Sequence, residues 1–98
     1  MSVDGTYQIT VKTPLGPQDA QMTLRADGTD LSGFIENAKG RSDFSGGTVD
    51  GAEFRFSARI GTPIGRVHAD IQGRVNGDQL NATAKLPLGT ADIQGARI

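Results

Sequence analysis

The 98-residue chain has no cysteine and no tryptophan, one histidine and one tyrosine, and only 5% aromatic residues. Without cysteine there is neither a disulfide framework nor a thiolate metal site. Ten Lys+Arg against eleven Asp+Glu leave a formal net charge of −1, so no charge excess of either sign points to nucleic acid or to an anionic membrane surface. No apolar run approaches the ~20 residues of a membrane-spanning helix. The opening M-S-V-D-G-T-Y has no basic start and no apolar stretch, so no secretion signal is read and a cytoplasmic home is the expectation. No window shows a helical period, and so no glycine loop leads into a helix that would cradle a nucleotide phosphate. With 36% apolar residues the chain is nonetheless too hydrophobic to be disordered, and its length fits a single domain over residues 1–98.

Glycine is abundant where other types are scarce: 14 residues, about twice the usual share of ~7%. Four turn signals repeat almost the same letters, V-D-G at Val3–Gly5, A-D-G at Ala26–Gly28, V-D-G at Val49–Gly51 and V-N-G at Val75–Gly77. Between them lies a second series, T-P-L-G from Thr13, A-K-G from Ala38, T-P-I-G from Thr62 and L-P-L-G from Leu86. The glycines of that series, Gly16, Gly40, Gly65 and Gly89, fall 24, 25 and 24 residues apart. A shift of 49 lays TPLGPQDAQMTLRADGTDL over TPIGRVHADIQGRVNGDQL without a gap. Four hairpin units of about 24 residues therefore make up the chain.

Between turns the letters alternate with period two, as in half-buried strands. Tyr7, Ile9 and Val11 interleave with Gln8, Thr10 and Lys12; Phe54, Phe56 and Ala58 interleave with Arg55, Ser57 and Arg59. This predicts eight strands at roughly 5–13, 18–26, 30–37, 41–49, 52–61, 66–75, 79–86 and 90–98. Asp-Gly and Asn-Gly supply the positive φ of tight hairpin turns. The first V-D-G precedes any strand because the chain begins inside what would be a fourth hairpin, so the first and last strands should pair. The expected fold is all-β: an eight-stranded, up-and-down antiparallel barrel of four pseudo-repeated hairpins, with an open two-sheet sandwich as the alternative.

Gly5-Thr6-Tyr7 opening the first strand, with Arg97 near the end of the last, resembles the calycin pattern of lipocalins, fatty-acid-binding proteins and avidins, as in a small bacterial β-barrel domain. In that group an aromatic after G-x sits at the barrel base and a basic residue of the last strand lies over it. The resemblance thus implies an up-and-down barrel plugged by Tyr7 and Arg97. Tyr7 stands where those proteins usually carry tryptophan. Nothing equivalent to an avidin's biotin-stacking wall exists in a chain without tryptophan, so biotin binding is not implied.

If the apolar face lines the lumen, the interior carries Tyr7, Ile9, Met22, Leu24, Ile35, Phe44, Phe54, Phe56, Ile71, Leu80 and Ile93. The opposite choice would bury more than a dozen charges, at several kcal/mol each. Small residues (Ala20, Gly33, Ala58, Ala69, Gly73, Ala82, Ala84, Ala91 and Gly95) join the inward set, and those on strands six to eight would leave that side under-filled unless the barrel is flattened there.

Asp19, Asp43, His68 and Asp92 follow four strand-opening glycines at the same offset and would form a metal-binding ring only if they faced inward; by parity they face solvent. A nucleophile–base pair would need His68 beside Ser57 or Thr83, with an orienting carboxylate beyond. The stripe Arg55, Arg59, Arg66 and Arg74 is interrupted by Glu53 and Asp70 and reads as a solvated face.

The function expected is non-catalytic binding of a small apolar or aromatic molecule, with no metal or other cofactor. Its lumen site is Tyr7, Met22, Ile35, Phe44, Phe54, Phe56, Ile71 and Arg97, entered through a rim of Leu15, Ile64 and Leu88 on the proline-containing turns. A second reading is an interaction module, a homodimer or the accessory subunit of a larger enzyme, using that rim and Phe34. A third is a small isomerase or cyclase with Tyr7, Arg97 and Glu36 as its acid–base groups.

Overall fold

The computed structural model describes residues 3–13, 16–38, 40–62, 65–87 and 89–98. Eight strands follow one another: β1 (Gly5–Thr13), β2 (Gly16–Asp27), β3 (Asp30–Asn37), β4 (Gly40–Asp50), β5 (Glu53–Thr62), β6 (Gly65–Asn76), β7 (Gln79–Leu86) and β8 (Gly89–Arg97). Each pairs antiparallel with its chain neighbour. β1 also pairs with β8, from Tyr7↔Arg97 to Lys12↔Asp92, so the sheet closes and the sandwich alternative is excluded. The described residues contain no helix long and apolar enough to cross a membrane.

Turn chemistry explains the repeated letters. Gly28, Gly51 and Gly77 take φ of +65°, +62° and +64°, the left-handed conformation that Asp-Gly and Asn-Gly turns require. The residue after each glycine then latches its turn to a neighbouring strand through a backbone bond. Thr29 O accepts from Val49 N at 3.0 Å, Ala52 O from Val75 N at 2.9 Å, and Asp78 O from Arg97 N at 2.7 Å. In the leading V-D-G the Asp4 carboxylate instead accepts from Ala26 N.

Alternation buries the expected face. Tyr7, Ile9, Met22, Leu24, Ile35, Phe44, Phe54, Phe56, Ile71, Leu80 and Ile93 are all buried, and among the described residues no polar or charged one is. The small-residue side over β6–β8 is not under-filled. A Cβ on Gly73 would lie 2.5 Å from the Ala82 Cβ, and one on Gly95 would lie 2.6 Å from Ile9 Cγ2. Backbones close in where side chains are missing, leaving Ala69, Ala84 and Ala91 at most 1% exposed.

β4 departs from strict alternation. Phe44 is buried, Ser45 and Gly46 are both exposed, and Gly47 is buried again, so an extra residue has been inserted. Gly46 has φ +74°. This bulge restores Val49 to the core, and the β3–β4 register shifts between Leu31 and Gly33. Past it the strands lose register, so among the described residues the β4–β5 ladder consists of Thr48↔Arg55, Val49↔Phe54 and Asp50↔Glu53.

Candidate functional site

Cross-strand register alone brings Tyr7 and Arg97 together at the end of the barrel carrying the Asp-Gly turns. The Tyr7 hydroxyl donates to Val3 O at 2.7 Å and accepts from Arg97 Nη2 at 2.8 Å, while Arg97 Nη1 donates to Asp78 Oδ1 at 3.1 Å. The guanidinium carbon is 5.3 Å from the Tyr7 ring centroid, so the cation–π contact exists, but the hydrogen bond to the hydroxyl is the closer interaction. That bond, aided by Asp78, pushes the Arg97 guanidinium above its ordinary pKa. Val3, Leu24, Leu31 and Leu80 are buried nearby, and the base is shut.

Higher up, three phenylalanines form one wall. The rings of Phe44 and Phe56 stack at 3.8 Å between centroids with 9° between planes, and Phe54 continues the stack 6.1 Å from Phe56. Met22 and Ile71 have no exposed surface, whereas Ala20, Ile35, Phe44 and Ala58 retain 8%, 5%, 7% and 6%. Still nearer the P-L-G turns, Val11, Ser42, Val67 and Leu86 are half-buried. The inner face is nonetheless covered at both ends: Val49 and Val75 beside the Asp-Gly turns keep 8% and 6%, and Ala69, Ala84 and Ala91 toward the other end at most 1%. The predicted lumen residues share one inner face but not one locus: Tyr7 and Arg97 belong to the base, Met22 and Ile71 to a packed middle, Phe44 and Ile35 to the part nearer the P-L-G turns. The rim residues Leu15, Ile64 and Leu88 lie outside the described residues.

Glu36 does not join Tyr7 and Arg97. It is exposed on the outer face, in register with Gln21 and Arg41, because it alternates with the buried Ile35. The lumen loses the third acid–base group of the isomerase reading. Asp19, Asp43, His68 and Asp92 are likewise all exposed on the outer wall, spread over β2, β4, β6 and β8. Among the described residues no three metal-ligating side chains converge.

Beside the bulge, on the outer face of β4, β5 and β6, lies a depression of about 490 Å³. Phe44 and Ala58 reach it from the inner face, and Arg41, Asp43, Ser45, Ser57, Arg59 and His68 surround it. Ser57 Oγ donates to Asp70 Oδ1, and His68 Nε2 lies 3.2 Å from the same oxygen. The Ser57 hydrogen bond foremost, and that of His68 after it, lower the Asp70 pKa against an opposing desolvation that outweighs the His68 bond alone. Aspartate thus sits between serine and histidine, so the imidazole does not take the hydroxyl proton and no activated nucleophile results. Arg41 donates from Nε to Asp43 Oδ1 at 3.0 Å and covers the Phe34 ring at 3.8 Å. Arg74 pairs with Glu53 at 2.7 Å, as a solvated face would. The depression was not read from sequence; its signal was the Gly46-Gly47 doublet, whose first member lets β4 bulge.

No family model matches the chain, and no curated protein does. Among solved structures, a redesigned β-barrel, mFAP1, bound to DFHBI, aligns with a TM-score of 0.69 over 98% of this chain and 94% of that one. Identity is 15%, so the likeness is one of fold: a β-barrel.

Proposed function

We propose that the protein is a non-catalytic barrel that binds a small apolar or aromatic molecule in the upper half of its lumen. Ligand would lie against Phe44 and Phe56, with Ala20, Ile35 and Ala58 beside it and Met22 and Ile71 beneath. Tyr7 and Arg97 would seal the base, and the turns bearing Leu15, Ile64 and Leu88 would frame the entrance. The observation that carries this reading is the wall of stacked phenylalanines on an otherwise aliphatic inner face. A stacked aromatic wall favours a flat aromatic guest. The fold likeness to a barrel bound to DFHBI supports the same class of ligand. The interaction-module reading is weaker, because Phe34 already lies under Arg41 and offers no bare apolar patch.

A neutral environment-sensitive dye, N-phenylnaphthylamine, tests the proposal. Its emission should rise saturably with the native protein, and Ala58→Phe or Ala20→Phe should abolish the rise while a cooperative thermal transition is kept. A folded parent that gives no saturable rise overturns it.

A further inference from the structure

We infer that the lumen's ligand is uncharged and carries one hydrogen-bonding group, a carbonyl or a hydroxyl, that bonds to the side chain of Ser42. This rests on the lumen reading above and adds the ligand's polar atom and the residue that selects for it. Facing follows from register. Ser42 pairs directly with Ile35 across the β3–β4 ladder, and residues directly opposite each other project from the same face. Ile35 is buried in the core, so Ser42 points inward with it. Phe44, at one end of the phenylalanine stack, follows two positions along β4 on that face. The strand thus sets a hydroxyl beside the stacked rings, roughly 7 Å along from Phe44.

The other inward side chains at this end of the barrel, Val11, Ala58, Val67, Ala69, Ala84 and Leu86, are aliphatic. Asn37 shares the face of Ile35 at the end of β3, but it is already engaged. At the base, the Tyr7 hydroxyl and the Arg97 guanidinium are taken up by each other, by Val3 O and by Asp78. Ser42 is half-buried and makes no side-chain hydrogen bond among the described residues. A hydroxyl both donates and accepts, so a neutral carbonyl or hydroxyl on the ligand satisfies it. A charge is not matched in the same way. Glu36, Arg41 and Asp43, the ionised residues flanking Ile35 and Ser42, all alternate outward. A carboxylate drawn against Phe44 would lose its water and meet no inward cation at this end among the described residues, which burial penalises heavily.

Three naphthalene probes test this by displacing N-phenylnaphthylamine from the native protein: the ketone 2-acetylnaphthalene, its hydrocarbon counterpart 2-isopropenylnaphthalene, and 2-naphthoate. Ser42→Ala should weaken the ketone about fivefold, as expected for one hydrogen bond, and leave the hydrocarbon unchanged. Ser42→Thr, which keeps the hydroxyl, should bind the ketone as the parent does. Ser45→Ala, exposed on the same strand, should change neither probe. In the parent, 2-naphthoate should bind at least about tenfold more weakly than the ketone. A ketone affinity untouched by Ser42→Ala overturns the inference and leaves the lumen reading standing, and so does 2-naphthoate binding as tightly as the ketone. Equal losses for ketone and hydrocarbon in Ser42→Ala also overturn it, because Ser42 would then act by packing. A ketone lost on Ser45→Ala instead overturns it by placing the probe on the outer face. A folded barrel that binds neither N-phenylnaphthylamine nor the ketone overturns the lumen reading and this inference together.

Discussion

Tyr7 carries more structural information than its ring. A phenylalanine or tryptophan at its position would still fill the base, but the hydroxyl links three parts of the chain: Val3 ahead of β1, Tyr7 itself, and Arg97 on β8. Because Tyr7 is fully buried, its bond to Val3 is made away from water and that from Arg97 is partly shielded from it, and a partner deprived of one is costly to leave alone. Tyr7→Phe should therefore lower unfolding stability by about 1–2 kcal/mol. Arg97→Ala should destabilise as well, and in the Tyr7→Phe background it should do so less, because the two share one interaction. Urea denaturation of the four proteins measures this; strictly additive losses would show that the hydroxyl and the guanidinium are not coupled. The pairing of these residues was legible in the sequence, since closure of the first and last strands puts them opposite each other. The type of contact was not. It depends on the absent Cβ of Gly5, where a methyl group would come within 2.9 Å of Arg97 Nε, and period-two patterns say nothing about such clearances.

At the scale of the strand, legibility follows how regular the strand is. β7, and β1 and β5 over the residues 7–11 and 53–59, were readable to the residue face because each alternates there without interruption. β4 was readable in extent but not in facing: counting by twos from Phe44 sends Val49 outward, and the extra residue at Ser45–Gly46 brings it back in. The irregular stretch between β4 and β5 descends from that one inserted residue, which a period-two count of the sequence does not reveal. Cross-strand pairs on the regular ladder are the easier case. Ser57 on β5 faces Asp70 on β6 in register, and its hydroxyl is the main reason that Asp70 titrates below the ordinary value of 3.8. A carboxyl whose pKa is depressed by folding contributes stability that is present above the unfolded value and lost as pH falls through the folded one. Ser57→Ala should accordingly shift the Asp70 midpoint upward in a carboxylate NMR titration, and should make the acid end of the stability profile flatter. A midpoint that stays put would assign the depression to His68 and Arg55 instead.

The whole barrel is a meander in which each strand pairs with its neighbours in the chain, except at one join, β1 with β8. Moving the chain ends changes which join is made by distant segments and which by a local turn. Ile98 N donates to Thr6 O at 2.9 Å, so a short flexible linker spans the ends at little entropic cost. Once the ends are linked, the chain can be opened at the Asn76–Gly77 turn or at the Asp50–Gly51 turn. In the first permutant the long-range join becomes the β6–β7 ladder, which runs through seven residue pairs from Asp70↔Lys85 to Asn76↔Gln79. In the second it becomes the β4–β5 ladder, with only three. A ladder that loses its connecting turn must hold by its own pairs and packing, so the short one should fail first. The permutant opened at Asn76–Gly77 should keep a single cooperative urea transition close to that of the parent. Opening at Asp50–Gly51 should give a lower midpoint and a larger response to N-phenylnaphthylamine, because the wall parts beside Phe44. Equal midpoints, or a more stable Asp50–Gly51 permutant, would mean that β4 and β5 are held across the bulge as firmly as any other pair, and that the irregularity in the wall has no mechanical consequence.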